Sequence, residues 1–585
     1  MMRGTFAKYE KIALQAFFGA AVFCFWGILY PFALAWHEQF QLFLFDRQYW
    51  VERFAVPGGA AAYIAEFLIQ FYNNPFLGAG ILALLYLLLQ VLVWRLMWRN
   101  AGEVAGQSDF IFVLSFLPSM VLWFMMGDEN LMLAFPVSLI LVLAAMLLYP
   151  SEKKMRFFFS LFFIPLIYWI TGPMVFVLAL FMLVKEVRYT DSWVTGIGVG
   201  IGQLAYAVIA VLMSTRFEPY PLRRLFGGIF YYRIPEVLSY SILMLAVLCL
   251  LLVLFSVSMK SLFRVKRQRL LVGGGLALVI VASVLLIPKG YDGKKYELIE
   301  YDYLVRLQRW HDIIRKAEKQ QPDLPMSVCA TNLALGMTDQ LGERAFDFFQ
   351  NGPEGLLPKF ERDFNSTMLT AEAYYQLGLV NTAQRYVFEC MESIPNYNKS
   401  GRAIKRLVET NLINGQYKVA EKYLLMLEKT IFYRKWAQSR MKIIADSGLI
   451  DRHPVYGRLR KMRLENDFLF SEAELDKTCG QLLMHNKENT LAMQFLVIYP
   501  LLNRDLNGFM NYFGYVNTLA RYNPVVCQEA LAFASMKKIE VPAGMISDGI
   551  MSRFKSFAQT YTFAGKDSPK LEAFRNTLWY YLMKG

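Results

Sequence analysis

Long apolar runs fill residues 12–288, whereas the chain from residue 289 onward is polar and has a helical pattern. The chain is 56% hydrophobic and only 18% charged, which is too apolar for an ordinary soluble protein. A helix needs about 20 apolar residues to cross a bilayer. The sequence therefore predicts an all-α protein, with a polytopic membrane domain at residues 1–290 and a soluble helical domain at residues 291–585.

The apolar half predicts about nine membrane spans. The weakest assignment is the pair around Thr171-Gly172-Pro173, for which one long kinked helix is the alternative. The predicted spans lie at about 12–35, 78–97, 110–126, 131–149, 157–170, 174–185, 193–214, 238–259 and 270–288. The first of them follows the basic segment "MMRGTFAKYEK". It is too long for a signal peptide and lacks a small-residue cleavage site, so we expect a retained helix.

Basic residues predict the orientation of the spans. With nine spans and a cytoplasmic N-terminus, the cytoplasmic segments hold fifteen Lys and Arg and the outer loops hold six. The fifteen are Arg3, Lys8, Lys11, Arg95, Arg99, Lys153, Lys154, Arg156, Lys185, Arg188, Lys260, Arg264, Lys266, Arg267 and Arg269; the six are Arg47, Arg53, Arg216, Arg223, Arg224 and Arg233. The positive-inside rule then places the C-terminal domain outside the cytoplasm. In a Gram-negative cell this is an inner-membrane protein with a periplasmic C-terminal domain.

Three outward segments carry charge under this topology. Residues 36–75 are amphipathic and broken by Pro57-Gly58-Gly59, which predicts two helices lying along the membrane surface. Residues 215–236 hold four arginines and three prolines. Between them comes the tight turn Gly127–Asn130, "GDEN", which sets two carboxylates at the edge of the hydrocarbon. Such carboxylates are costly unless they are paired, hydrated or bound to a ligand.

Two kinds of candidate site residue follow from these segments. The carboxylates are Glu38, Asp46, Asp128 and Glu129, and the arginines are Arg216, Arg223, Arg224 and Arg233. The guanidinium fork binds phosphate at two points, so the arginines suit a lipid-linked phosphate. The alternative for the arginines is snorkelling to the headgroups. For the acids it is an N-cap role for Asp128 and simple solvation of Glu38 and Asp46.

The C-terminal half contains weak internal repeats. "TAEAYYQLGLVNTAQRYVFECMESIP", residues 370–395, resembles a tetratricopeptide helix–turn–helix unit, and "LVETNLINGQYKVAEKYLLMLEK" repeats it. The alanines Ala345, Ala383 and Ala420 are 38 and 37 residues apart, against a standard period of about 34. Stacked repeats of this kind usually bind polypeptide, so the domain is interpreted as a docking surface, with a purely structural lid as the alternative.

The layout of residues 1–290 resembles the GT-C superfamily of membrane glycosyltransferases. The resemblance is one of topology: a cytoplasmic N-terminus, a long first outer loop of two surface helices, and a short acidic second outer loop. The segment 57–75, "PGGAAAYIAEFLIQFYNNP", also resembles a family of large membrane proteins from Bacteroidota. The chain departs from the superfamily in having His37-Glu38 rather than a paired Asp-Glu, and Asp-Glu-Asn rather than Asp-x-Asp. It also lacks a WWD-type motif.

The resemblance implies roles for the candidate residues. Glu38 or Asp46 is the first-loop catalytic acid, and Asp128 and Glu129 form the second-loop pair. That pair would bind a divalent cation, Mg or Mn, in a metal-dependent member. The four arginines hold the phosphate of a polyprenyl-linked sugar, and the repeat domain binds a polypeptide or glycan acceptor.

Other classes of function are less consistent with the sequence. The net charge of +14 is typical of cytoplasmic loops that face anionic lipid, so we do not expect nucleic acid as a partner. The six cysteines and four histidines form no metal-ligand spacing. The main alternative to the enzyme is a membrane-anchored repeat scaffold for envelope or secretion machinery. Transport is weaker, because no inverted repeat is visible.

Overall fold

A computed structural model describes residues 8–101, 109–234, 237, 239–258, 268–359, 364–396, 398–446, 448–464 and 474–584. In these ranges the chain is helical, and the only β-type pairing is an isolated bridge between Leu131 and Tyr232. The all-α class is therefore confirmed. The chain divides into two compact units: unit 1 is Met1–Tyr296 with Pro395–Gly401 and Lys429–Arg434, and unit 2 is Glu297–Ile394, Arg402–Glu428 and Lys435–Gly585.

Unit 1 is built from long apolar helices joined by short connections. A π-helical segment, Phe25–Leu29, follows its first helix. The helices are α1 Lys8–Cys24, α2 Pro31–Glu38, α3 Arg47–Phe54, α4 Gly59–Ile69, α5 Pro75–Ala101, α6 Asp109–Leu114, α7 Leu117–Met125, α8 Ala134–Leu148, α9 Lys153–Thr171, α10 Val175–Tyr189, α11 Trp193–Ser214, α12 Leu222–Gly227, α13 Tyr240–Ser258, α14 Gln268–Leu286 and α15 Gly293–Arg306.

Five helical segments in the described residues are long and apolar enough to cross a membrane. They are Tyr9–Leu29, Pro75–Ala101, Lys153–Tyr189, Trp193–Ser214 and Val272–Lys289. Three shorter apolar helices, Asp109–Met125, Ala134–Leu148 and Tyr240–Ser256, coincide with the remaining predicted spans. The membrane-helix character of this half is thus present, and the count of nine spans stays a prediction.

The segment 153–189 is a hairpin of two helices. Arg156, in the first turn of α9, donates from Nε to Glu186 Oε1 near the end of α10 at 2.9 Å. A straight helix would hold residues 30 positions apart at about 45 Å. The chain reverses at the 3₁₀ turn Gly172–Met174, where Gly172 has φ 71°. The alternative of one long kinked helix is therefore excluded.

The connections of unit 1 form two groups, one at each end of its helices. At one end, Gly58 N donates to Trp169 O at 2.9 Å, and Met132 N donates to Tyr231 O at 3.0 Å. At the other end, Arg99 Nη2 donates to Tyr149 O at 2.9 Å and Tyr149 Oη to Glu186 Oε1 at 2.7 Å. We call the first the site end, because the acidic turn Gly127–Asn130 lies there.

Unit 2 is a series of short helices, several of which pack against the next helix along the chain. They are α16 Trp310–Lys319, α17 Pro325–Met337, α18 Leu341–Arg344, α19 Phe364–Leu377, α20 Val380–Glu392, α21 Gly401–Ile413, α22 Tyr417–Glu428, α23 Arg434–Ala445, α24 Gly448–Arg452, α25 Pro454–Met462, α26 Leu475–His485, α27 Thr490–Leu502, α28 Leu506–Ala520, α29 Val525–Met536, α30 Asp548–Ala564 and α31 Leu578–Lys584.

Two of the predicted repeats are helix–turn–helix pairs. The pair α19–α20 turns at Gly378 (φ 93°) and α21–α22 at Gly415 (φ 75°), a backbone conformation that glycine adopts without strain. Ala383 and Ala420 are fully buried, as close helix packing requires. Ala345 is also buried, but it begins a 3₁₀ segment, Ala345–Asp347, rather than lying in a full helix. The tetratricopeptide resemblance itself stays a prediction.

Candidate functional site

The acidic turn that joins α7 to α8 is held by its own side chains. Asp128 Oδ1 accepts from Asn130 N at 2.9 Å, and Asn130 Nδ2 donates to Glu129 Oε1 at 2.8 Å. Helix α8 has Leu133 as its N-cap. Asp128 therefore does not cap that helix, and the N-cap alternative for this carboxylate does not hold.

A second segment pairs with the turn like a short antiparallel strand. Arg233 N donates to Asn130 O at 2.8 Å, and Arg233 Nε donates to Asn130 Oδ1 at 2.9 Å. Tyr232 Oη donates to Asp128 Oδ2 at 2.7 Å. This pairing brings the arginine-rich loop and the acidic turn together, although about a hundred residues separate them in sequence.

The end of α2 packs against the acidic turn and the arginine-rich loop. We call the group of residues that meet here the cluster. The guanidinium carbon of Arg233 lies 4.4 Å from the ring centroid of Phe40 and 5.3 Å from that of Trp36. Trp36 Nε1 donates to Glu129 O at 3.3 Å. His37 is buried, and this burial lowers the pKa of its imidazole to about 4; Glu129 opposes the shift and Arg233 adds to it. His37 is therefore a neutral imidazole at physiological pH.

The start of α15 is the fourth segment that contributes residues to the cluster. Lys295 Nζ donates to Glu129 Oε1 at 2.7 Å, and this hydrogen bond raises the pKa of Lys295. The ammonium is about half exposed, whereas the Glu129 carboxylate is almost buried. The neighbouring Tyr296 is 3% exposed, and its hydroxyl has no hydrogen-bond partner among the residues that the structure describes. Burial and the nearby Glu129 raise the pKa of Tyr296.

The first-loop acids lie in different environments. Glu38 follows His37 directly, is buried, and accepts from Tyr433 Oη at 2.6 Å. Asp46 is more exposed and pairs with Lys429 Nζ at 2.8 Å, an interaction that lowers the pKa of Asp46. Of the two candidates, Glu38 lies beside a residue of the cluster, and Asp46 has a separate ion pair.

Only one of the four candidate arginines lies in the cluster. Arg224 donates from Nη2 to Asn396 Oδ1 at 2.7 Å and to Ile229 O at 3.1 Å, and Asn396 Nδ2 donates to the same carbonyl at 3.1 Å. Arg216 and Arg223 are exposed. The structure therefore does not gather the four arginines into one phosphate site.

The helices α3 and α4 fix the position of the first loop. Gly58 (φ 81°) is so close to Gly172, at the tip of the α9–α10 hairpin, that an added Cβ would lie 3.4 Å from Gly172 N. Between the helices, Arg53 Nε donates to Glu66 Oε2 at 2.8 Å, and Tyr49 hydrogen-bonds to the same oxygen. The Pro57-Gly58-Gly59 break is thus the point at which the loop contacts the helix hairpin.

The residues of the turn do not suit a resident divalent cation. Asp128 already accepts from Tyr232, and Glu129 is neutralised by the Lys295 ammonium. Within the part of the chain that the structure describes, no three His, Cys, Asp or Glu side chains are arranged to hold a metal ion. A hard cation prefers several oxygen ligands. We therefore derive no chemical step through a metal.

The residues of the cluster that were not among the sequence-based candidates include His37, Asn130, Tyr232 and Lys295. His37 and Asn130 adjoin candidate acids, and Tyr232 precedes a candidate arginine, so neighbourhood was an available signal. Lys295 lies in "DGKKYE" after the last apolar run. Nothing in its local sequence distinguishes it from a solvated lysine.

Fold and site together define an all-helical protein with membrane-length helices and a buried cluster of ionisable groups at one end of them. The model of the family of unknown function DUF6057 matches residues 7–585. The chain belongs to this family, whose match includes residues of both units. No curated protein and no solved structure matches the chain.

Proposed function

We propose that the protein is a membrane glycosyltransferase of GT-C type. It transfers a sugar or glycan from a polyprenyl-phosphate-linked donor to an extracytoplasmic acceptor. The single observation that supports this most strongly is the convergence of four separate segments, near residues 37, 129, 233 and 295, into one cluster of opposite charges. Buried ionisable groups with perturbed pKa values, gathered from distant segments, are typical of active sites.

The proposed chemistry uses the charges of this cluster. The acceptor oxygen attacks the anomeric carbon of the donor sugar, and the bond from that carbon to the phosphate oxygen breaks with its electron pair. The acceptor proton passes to the Glu129 carboxylate, acting as general base. The donor phosphate draws the Lys295 ammonium away from Glu129, and Arg233 adds positive charge beside the leaving group. Glu38, beside His37, supports these residues, whereas Asp46, Arg216, Arg223 and Arg224 take no part in this step.

The topology we propose is the nine-span arrangement with a cytoplasmic N-terminus and the site end outside. It is supported by the two groups of connections in unit 1. The contacts Gly58–Trp169 and Met132–Tyr231 join segments predicted to face outward, and Arg99–Tyr149 and Tyr149–Glu186 join segments predicted to face inward. The predicted basic segment at residues 260–267 lies outside the described residues. In this proposal unit 2 is extracytoplasmic and binds the acceptor in a bacterial inner membrane.

One observation favours the second candidate, a non-enzymatic membrane-anchored repeat scaffold. The carboxylates of the site end already have partners within the protein: Glu38 with Tyr433, Asp46 with Lys429, and Glu129 with Lys295. Such pairs also stabilise a structural junction. The two candidates differ in what removal of charge does, since a scaffold needs the fold and not the proton acceptor.

The decisive experiment compares charge-removing variants in a deletion strain complemented with each one. Glu129→Gln and the double variant Asp128→Asn, Glu129→Gln keep size and hydrogen bonding. We expect them to abolish a glycan-bearing band or lipid-linked intermediate, a loss of at least about 100-fold. Membrane level and melting temperature in detergent should remain near wild type.

The control variant is Asp46→Asn, which removes an exposed ion pair of little energetic value. We expect it to retain most of the activity. Full complementation by the Glu129 variants would refute the enzyme and favour the scaffold.

A further inference from the structure

An apolar groove runs along unit 1 toward the site end. It has a volume of about 520 Å³ and lies between α1, α7 and α14. Its floor is aromatic: Phe18 contacts Phe116 at 5.3 Å and Trp123 at 6.0 Å between ring centroids, both edge-on. The small side chains of Ala21 and Ser283 line the space above the floor.

The rim of the groove is apolar and open. Phe17 on α1 is 70% exposed and Val284 on α14 is 68% exposed. These helices are among the segments long and apolar enough to cross a membrane. An opening of this kind between two such helices admits a hydrocarbon chain from the bilayer without desolvating any polar group.

The lining of the groove changes from apolar to polar at the site end. Tyr30 and Tyr291 line it there, and their hydroxyls hydrogen-bond to each other at 2.6 Å. The ring of Tyr291 stacks on that of the buried Tyr296, with 4.6 Å between the ring centroids. Beyond them Lys289, Lys294 and Lys295 are exposed. The apolar lining thus gives way to hydroxyls and then to positive charge.

The polar end of the groove adjoins the acidic turn directly. A Cβ added at Gly127 would lie 2.7 Å from the backbone carbon of Gly290, and one added at Gly290 would lie 2.2 Å from Phe124 O. No side chain separates the two backbones at this point. Lys295, four residues after Tyr291, reaches Glu129 at 2.7 Å. A headgroup at this end of the groove would therefore lie directly beside the cluster.

We propose that this groove binds the hydrocarbon chain of the lipid-linked donor, with the phosphate held at Lys295. This assignment rests on the proposed function and names the binding site of its lipid substrate. The occupant is a single prenyl chain with an anionic headgroup, because one narrow apolar channel ends in one cationic rim.

The test blocks the groove with a large side chain and measures lipid binding separately from glycan transfer. Ala21→Trp places a large ring among the groove-lining residues, and Ala20→Trp places the same ring on an exposed neighbouring position of α1 that does not line the groove. The full-length protein in detergent is photolabelled with a diazirine-bearing polyprenyl phosphate. We expect labelled peptides from α1 and α14, competition by unlabelled polyprenyl phosphate, and a tenfold loss of labelling in Ala21→Trp only.

Each outcome decides a different question. Labelling that a diazirine phospholipid reproduces, or that Ala21→Trp leaves unchanged, would overturn the groove assignment even if transfer activity is found. Specific labelling without any transfer activity would support the groove and refute the glycosyltransferase. Unchanged labelling of α1 and unchanged competition by polyprenyl phosphate in Lys295→Ala would refute the assignment of the phosphate to Lys295.

Discussion

At the scale of single residues, hydrogen bonding and stacking determine which candidate arginine belongs to the cluster. Arg233 contacts Asn130 and stacks on Phe40 and Trp36, whereas Arg216 is exposed. A planar guanidinium suits this combination of stacking and directed hydrogen bonding, and an ammonium does not. The type of cation therefore matters at position 233 in a way that it does not at an exposed position.

Arg233→Lys should reduce transfer activity almost as much as Arg233→Ala, by about 10-fold or more, because a lysine loses the fork and the stacking. Arg216→Lys is the matched control and should leave transfer activity unchanged. The assay is glycan transfer in complemented membranes, normalised to protein level. Full activity of Arg233→Lys would mean that only the charge at this position is used.

A buried carboxyl in unit 2 gives a pH-dependent contribution to stability. Glu529 is 2% exposed and accepts from Leu578 N at 2.8 Å. Burial raises the pKa of Glu529 from 4.5 to about 7. The folded state thus holds the proton more tightly than the unfolded state. The contribution is fully present below pH 4.5 and is lost as the pH rises to about 7.

We expect residues 297–585, produced alone, to be soluble and helical, and to lose about 3 kcal/mol of unfolding free energy from Glu529 between pH 4.5 and 7. Glu529→Gln should remove that slope, and the exposed Glu540→Gln should keep it. Urea unfolding followed by circular dichroism measures both. Equal slopes in all three proteins would contradict the burial of this carboxyl.

At the scale of elements, glycine permits two close approaches in the first loop. Gly58 has φ 81° at the tip of the turn between α3 and α4. A Cβ added at Gly59 would lie 1.7 Å from Arg53 O, which no real structure tolerates. The Pro57-Gly58-Gly59 motif therefore forms the turn that folds α4 back against α3. The break in the amphipathic pattern predicted a turn at this position.

Gly59→Ala should lower the stability of the folded protein by about 3 kcal/mol, because the backbone of Arg53 has to move. Gly80→Ala on α5 is the control, since an added Cβ there meets nothing within 4 Å. Melting temperature in detergent compares the two variants. An unchanged melting temperature for Gly59→Ala would show that the turn adopts another conformation.

At the scale of the whole molecule, the two groups of connections in unit 1 lead to a topology test. Because the acidic turn and the connection around Tyr149 lie at opposite ends of unit 1, reporter fusions after residues 155 and 190 should give a cytoplasmic signal. Fusions after 128, 225 and 585 should give an outer-side signal. A cytoplasmic C-terminus would refute the proposed function, since the cluster would then be on the wrong side for an extracytoplasmic acceptor.

The sequence by itself determined the all-helical class, the apolar half and the acidic turn, because hydropathy, 3.6-residue periodicity and turn residues act over a few neighbours. It also predicted the helix pairs around Ala383 and Ala420. It did not determine that Arg233 joins the turn while Arg224 bonds to Asn396, nor that Lys295 pairs with Glu129. Those choices depend on where segments more than a hundred residues apart meet, and only the packing of the helices decides that.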